Sequence, residues 1–184
     1  MGTVVYGMHA SMDGFIEGPD GGFGFTEPAA DVHQAANDQV RRCGAFLFGR
    51  RLYEVMEKPW TEQLGNEGAP AVEREFARLY RGIPRYVFSD TLQSVPDGVT
   101  LVRRKDAVSV VERLKREVDG NLEIGGAELA ASLVDLIDEF LVYEFPVLVG
   151  GGRTYLPVDG EVRLRLVELR SFESGVLFKR FVRA

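Results

Sequence analysis

The chain has 184 residues, 45% hydrophobic and 27% charged, an ordinary composition for one soluble globular domain spanning 1–184 and long enough for a core without covalent staples. Its net charge of −6 disfavours nucleic acid as a general partner, because neutralising a phosphate backbone needs a basic face; a small anion held by a few arginines stays open. The single cysteine, Cys43, has no partner for an intramolecular disulfide. With no basic-then-apolar leader and no run of membrane-spanning length, the expected location is the cytoplasm, with no membrane partner.

Thr3 to Ala10 reads as a buried first strand, followed by a turn at Ser11-Met12-Asp13-Gly14. Glu17 to Phe25, EGPDGGFGF, holds four glycines and a proline; it reads as an exposed connection or as a lid, and Phe15, Ile16, Phe23 and Phe25 favour a lid with something to cover. Pro28 to Arg42 is a predicted helix and Ala45 to Phe48 a strand. The junction Gly49-Arg50-Arg51-Leu52 opens a helix that Pro59-Trp60 should end near Lys58. Arginines at a helix start oppose the dipole, so they mark either an anion site or a surface pairing with Glu54 or Glu57.

Trp60 to Gly68 is a predicted polar loop, Pro70 to Arg81 a helix stopped by Gly82, and Pro84 to Ser89 a strand leading into Asp90-Thr91. Val99 to Val102 is a further strand. Asp106 is a plausible N-cap for the helix Ala107 to Val118. Then comes Leu122 to Gly152, LEIGGAELAASLVDLIDEFLVYEFPVLVGGG. Here a short run, Leu122-Glu123-Ile124, breaks at Gly125-Gly126. An apolar stripe at Leu129, Leu133, Leu136 and Ile137 has helical spacing, and Phe140 to Val149 reads as a strand before three glycines. This is a βαβ unit, most simply a parallel crossover. The tail alternates as two strands, Val162–Arg170 and Val176–Val182, around a Phe172–Gly175 turn.

The expected fold class is therefore α/β, a mostly parallel central sheet with helices on both faces and a C-terminal antiparallel hairpin. Ligands of such sheets sit outside the carboxyl ends of the strands, where Gly49-Arg50-Arg51, Ser89-Asp90-Thr91 and Gly125-Gly126 all fall. Their agreement favours a nucleotide over plain turn geometry, although the glycine pair lacks a full GxGxxG spacing.

SMDGFIEGPDG, LFGRRLYE, YVFSDTL, LEIGGAEL and FPVLVGGGRTYLP occur in an order that resembles the dihydrofolate reductase fold. The likeness is strongest to its bacterial branch similar to the C-terminal reductase domain of riboflavin biosynthesis. It spans nearly the whole chain and implies a homodimer and an NADPH site. In that site Gly49, Arg50, Arg51, Leu52, Ser89 and Asp90 lie near the adenosine and its 2′-phosphate. Gly125, Gly126 and the helix start Ala127-Glu128-Leu129 hold the pyrophosphate, and Ala10, Ile16 and the loop to Gly22 cover the nicotinamide. Met8, Phe25 and Trp60 fall on the substrate side.

Two departures bear on the cofactor. Leu52 offers no donor where the family often has threonine. Asp90 would repel a 2′-phosphate or accept from a ribose hydroxyl, which would favour NADH, while Arg50 and Arg51 favour NADPH. The proton source is open among Asp31, His9 and a held water. Asp31 is better explained as a first-turn cap or dipole partner and His9 as a satisfied core histidine, and His33 receives no role. One cysteine excludes the zinc deaminase that precedes the reductase domain in riboflavin enzymes, and no metal site is expected.

The leading expectation is hydride transfer from NADPH to a small flat heterocycle, pterin- or aminopyrimidine-like. A nucleotide- or pterin-binding module of the same fold without turnover is the alternative. A third possibility is a partner-binding dimer through the apolar strand Phe140–Val149, which Pro146 would place near an edge.

Overall fold

The computed structural model describes residues 1–62 and 66–184. Six parallel strands form the body of one sheet: β1 (Thr3–Ser11), β3 (Cys43–Gly49), β4 (Arg85–Phe88), β5 (Val99–Val102), β6 (Asn121–Gly125) and β7 (Glu139–Phe145). The hairpin β9 (Leu164–Ser171) and β10 (Leu177–Arg183) adds antiparallel to β7, completing eight strands in the order β5-β4-β3-β6-β1-β7-β10-β9. A separate pair, β2 (Phe15–Glu17) with β8 (Arg153–Thr154), ties the base of the glycine loop to the segment after the three glycines. The expected α/β class, mostly parallel sheet and terminal hairpin are all present.

Helices cover both faces because the inner strands are apolar on both sides. On one face Val4, Tyr6, Leu47, Leu122 and Ile124 meet Val111 and Leu114 of α4 (Ala107–Glu117) and Leu129 and Ala130 of α5 (Ala127–Ser132). On the other, Phe46, Phe48 and Val87 meet Tyr53 of α2 (Arg50–Glu62) and Phe76 and Tyr80 of α3 (Ala71–Gly82). Val32 of α1 (Ala30–Val40) packs beside them on Tyr143 and Phe145. Glu57 fastens α2 to this layer: it accepts from the Tyr80 hydroxyl at 2.8 Å and pairs with the buried Arg85 guanidinium at 3.2 Å.

Four boundaries correct the sequence expectations. Pro59 does not end α2; the helix continues to Glu62, with Thr61 Oγ1 donating to the Glu57 carbonyl at 2.6 Å and Trp60 packed on Phe76 at 4.5 Å. The expected Trp60–Gly68 loop is thus helical through Glu62, residues 63–65 lie outside the described residues, and a turn follows at Asn66–Gly68. The stripe Leu129–Ile137 is not one helix. Ser132 Oγ turns back to the Leu129 carbonyl at 2.8 Å, and a separate 3₁₀ turn covers Val134–Leu136.

The last correction concerns β7, which stops at Phe145, before Pro146, and lies inside the sheet between β1 and β10. The edge-strand expectation fails because the following hairpin supplies the neighbour. Residues 147–150 instead lean on the first turn: Met12 donates to the Val147 carbonyl at 2.9 Å, and the Gly150 N–H donates to the Asp13 carboxylate at 2.7 Å. Asp106 occupies the N-cap position of α4 without a side-chain capping bond.

No helix among the described residues is long and apolar enough to cross a membrane.

Candidate active site

Because β1, β3, β4 and β6 run parallel, their carboxyl ends bring Gly49, Ser89 and Gly125-Gly126 to one edge of the sheet. There α1, α2 and the glycine loop leave a cavity of about 1640 Å³. That is above the roughly 300–1,000 Å³ of a single small-molecule pocket.

One half has an arginine-rich rim. Gly49, Arg50, Arg51, Leu52, Ser89, Asp90, Gly125, Gly126, Ala127, Glu128 and Leu129 all line the cavity, joined by Arg104 and Arg153. The glycine pair is first a packing device. A Cβ on Gly125 would collide with the Leu52 side chain and lie 2.8 Å from Phe48, while Gly126 has φ +104°, a left-handed backbone. Leucine at position 52 fits this packing.

The arginines hold carboxylates. Arg50 pairs with Glu54 at 3.0 Å, the surface pairing anticipated as one alternative. Arg153 bridges Glu17 at 3.2 Å and Glu128 at 2.7 Å; Arg51 joins it on Glu17 and Arg104 on Glu128. Hydrogen bonding from Arg153 holds the Glu128 carboxyl below the usual carboxylate range. Asp90 Oδ1 accepts the Arg104 backbone N–H at 3.0 Å, so a local structural role accounts for the carboxylate thought to read a ribose. Ser89 Oγ likewise accepts from the Thr91 and Leu92 N–H groups.

The other half is aromatic. Met8, His9, Ile16, Phe23, His33, Trp60, Phe76 and Tyr143 line it. His9 Nδ1 lies 3.3 Å from the Thr26 carbonyl, with its ring 5.2 Å from both Tyr143 and Phe145. Burial pulls its pKa down to about 4, so near neutral pH the imidazole is uncharged. Trp60 lines the cavity and packs on Phe76.

Four assigned residues fall away from the cavity. Asp31 is exposed, accepts the Val32 N–H at 2.8 Å, and does not line it. Two residues along a helix is about 200° of turn, so α1 presents His33, Ala36 and Gln39 inward and Asp31 outward. Ala10 is packed under Ile16 and Ala127. In the glycine loop Gly21, Phe23 and Gly24 face the cavity, whereas Gly22 and Phe25 do not.

Glu123 is the residue that the sequence reading passed over as part of an apolar run. It is 8% exposed at the cavity wall, between Val5 and Phe46 in the sheet register. Gln39 Nε2 donates to its two carboxylate oxygens at 3.1 and 3.4 Å, and the Tyr143 hydroxyl lies 3.4 Å from Gln39 Oε1. Burial pushes its pKa up to about 7. The signal was available: a carboxylate set between Leu122 and Ile124 in a short run that reads as a strand buried on both faces. Among the described residues no cluster of three or more histidine, cysteine or carboxylate side chains could hold a metal.

Comparison with known proteins places this geometry in a family. The chain is 26% identical over 178 residues to the uncharacterized protein YyaP of Bacillus subtilis, covering 95% of this chain and 91% of that one. Among solved structures it is similar to a putative riboflavin biosynthesis protein from Shewanella sp. PV-4, with TM-score 0.75, 21% identity, and coverage of 100% and 99% of the two chains. It is also similar to dihydrofolate reductase from Enterococcus faecalis, determined with NADP(H), with TM-score 0.66, 13% identity, and coverage of 98% and 96%. The fold is thus dihydrofolate reductase-like. The family model for the RibD C-terminal domain matches residues 2–178, and the chain belongs to that family.

Proposed function

We propose that this chain is an NADPH-dependent reductase that transfers hydride to a small flat heterocycle, pterin- or aminopyrimidine-like. The observation that carries the reading is the single continuous cavity at the strand ends, with an arginine-rich half running into an aromatic half. Family membership and the fold shared with an NADP(H)-binding reductase support it. The residues present fit the cofactor: the cavity has room for it, and Arg50, Arg51, Arg104 and Arg153 offer guanidinium groups whose present partners are exposed or half-buried carboxylates that phosphate oxygens could replace.

Gly49, Ser89 and Asp90 would border the adenosine, and Gly125 through Leu129 with Arg104 and Arg153 the phosphates. Ile16, under the glycine loop, would cover the nicotinamide. The bound cofactor supplies the hydride; the protein aligns the rings, and the Phe23-bearing loop excludes water. Trp60, Phe76 and His33 offer a wall for a flat ring. The chain pairs with a second copy of itself, a reading supported by three exposed leucines, Leu164, Leu166 and Leu169, on its outermost strand.

Calorimetric titration with NADPH, followed by a screen for loss of reduced-nicotinamide absorbance across pterins and pyrimidines, tests this. Binding followed by oxidation with at least one heterocycle is the expected result, and absence of NADPH binding by folded protein overturns it. Binding without oxidation across the panel would favour the second reading, a nucleotide- or pterin-binding module. That reading is motivated by Leu52, which brings no donor to the cofactor half.

A further inference from the structure

Glu123 is a buried carboxyl on the cavity wall that the cofactor reading above does not use. A carboxyl taken out of water is costly unless a cation or a set of donors compensates it. Here no lysine or arginine pairs with it among the described residues, and its cavity-side partner is one neutral amide, Gln39. In the same register row the neighbours of Glu123 are Val5 and Phe46, with Glu139 beyond Val5 and Arg85, which is paired with Glu57, beyond Phe46; Leu141 lies on the same face beside Gly7. Gly7 on β1, without a side chain, keeps the space beside Gln39 open. The carboxyl therefore stands at the floor of the aromatic half, oriented by an amide that is itself held by Tyr143.

We propose that Glu123, oriented by Gln39, is the specificity-determining residue of this cavity, recognising the lactam edge (an N–H beside a C=O) of a neutral oxo-heterocycle. This rests on the reductase reading and names the substrate class of the same site. In its neutral form a carboxyl presents one O–H donor and one acceptor side by side, the complement of a lactam; ionised, it presents acceptors only. Burial without a cation favours the neutral form, and an uncharged ligand closing over the site removes more water and favours it further.

The groups facing Glu123 do not reverse this. The Cys43 thiol on β3 and the Tyr143 phenol on β7 are pushed above their ordinary ranges by burial, and Glu139 on β7 opposes ionisation. Asn121 on β6 and Gln39 on α1 are neutral donors that favour the carboxylate, less strongly than burial disfavours it. On β1, His9 is uncharged near neutral pH.

The test is calorimetric binding of aminouracil, a lactam, and of diaminopyrimidine, an amidine, to wild-type protein, Glu123→Gln and Glu123→Leu over pH 5 to 9. NADPH affinity is measured separately on each. Wild type should bind aminouracil with constant affinity at low pH and lose about tenfold per pH unit once the carboxyl ionises. Glu123→Gln, a permanently neutral donor–acceptor pair, should bind within about threefold of the low-pH wild type and show no such loss, and Glu123→Leu should lose at least about tenfold. NADPH affinity should be unchanged in both variants.

Tighter diaminopyrimidine binding that rises with pH and is lost in Glu123→Gln would overturn the lactam assignment. So would aminouracil affinity indifferent to Glu123→Leu, or no aminouracil binding by wild type. In each case intact NADPH binding leaves the reductase reading standing, whereas loss of NADPH binding by wild type removes that reading instead.

Discussion

A buried acid whose folded pKa is raised makes a protein less stable as pH rises, which gives Glu123 a signature independent of any ligand. Its pKa stands at about 7, against 4.5 for an ordinary glutamate. Between those values the folded chain holds a proton that the unfolded chain has released. Stability from this group is therefore complete below pH 4.5, declines as pH rises through the window, and levels off above about 7. The integrated loss is on the order of 3 kcal/mol. Urea unfolding of wild type and Glu123→Gln across that window should give a difference that grows with pH in favour of the variant; a constant difference would mean the carboxyl titrates normally. A second residue-scale prediction concerns Glu57. Replacing it with alanine leaves Arg85 buried without its carboxylate and Tyr80 without its acceptor, and should cost about 3 kcal/mol in the same assay.

Among the elements, the βαβ order, the hairpin and the three strand-end turns were legible in the sequence because each is encoded locally, by apolar period and by turn residues. What escaped depends on contacts between distant segments. Nothing near Pro59 announces that Trp60 will find Phe76, and nothing in α1 says which of Asp31 and His33 faces the sheet. The three glycines after β7 are a case in between. Their cluster was visible, but its reason lies across the chain. Gly152 has φ +124°, and a Cβ there would collide with the Glu17 carbonyl. This close approach lets β8 pair with β2 and sets Arg153 between Glu17 and Glu128. Gly152→Ala should therefore separate β2 from β8, raising amide exchange in Phe15–Glu17, while leaving the main sheet protected. Arg153→Ala removes the bridge without backbone strain. If Arg153 also meets a phosphate, NADPH binding should weaken by about tenfold or more, the size of a lost charge-assisted hydrogen bond; unchanged NADPH affinity would confine Arg153 to the lid.

At the scale of the whole molecule, the hairpin that gives β7 its second neighbour also moves the sheet edge outward to β9, and β9 is exposed along most of its length, with no helix over it among the described residues. Leu164, Leu166 and Leu169 pair in register with Arg183, Phe181 and Lys179, which alternate along β10 and so share one side of the sheet. That side is the one on which Phe181 packs against the α4–α5 core. The leucines therefore extend the apolar face of that layer beyond its helices, with Leu169 60% and Leu166 46% exposed. Arg165, Glu168 and Arg170 occupy the intervening positions of β9, and charges along an outer strand oppose edge-to-edge pairing. The geometry favours association face to face through the leucines. Sedimentation of the wild-type chain should give twice the chain mass, and Leu166→Lys with Leu169→Lys should give a folded monomer that still binds NADPH, because the cavity lies at the strand ends and not on this face. A wild-type monomer would remove the pairing, and a variant that stays dimeric would move the interface to another surface.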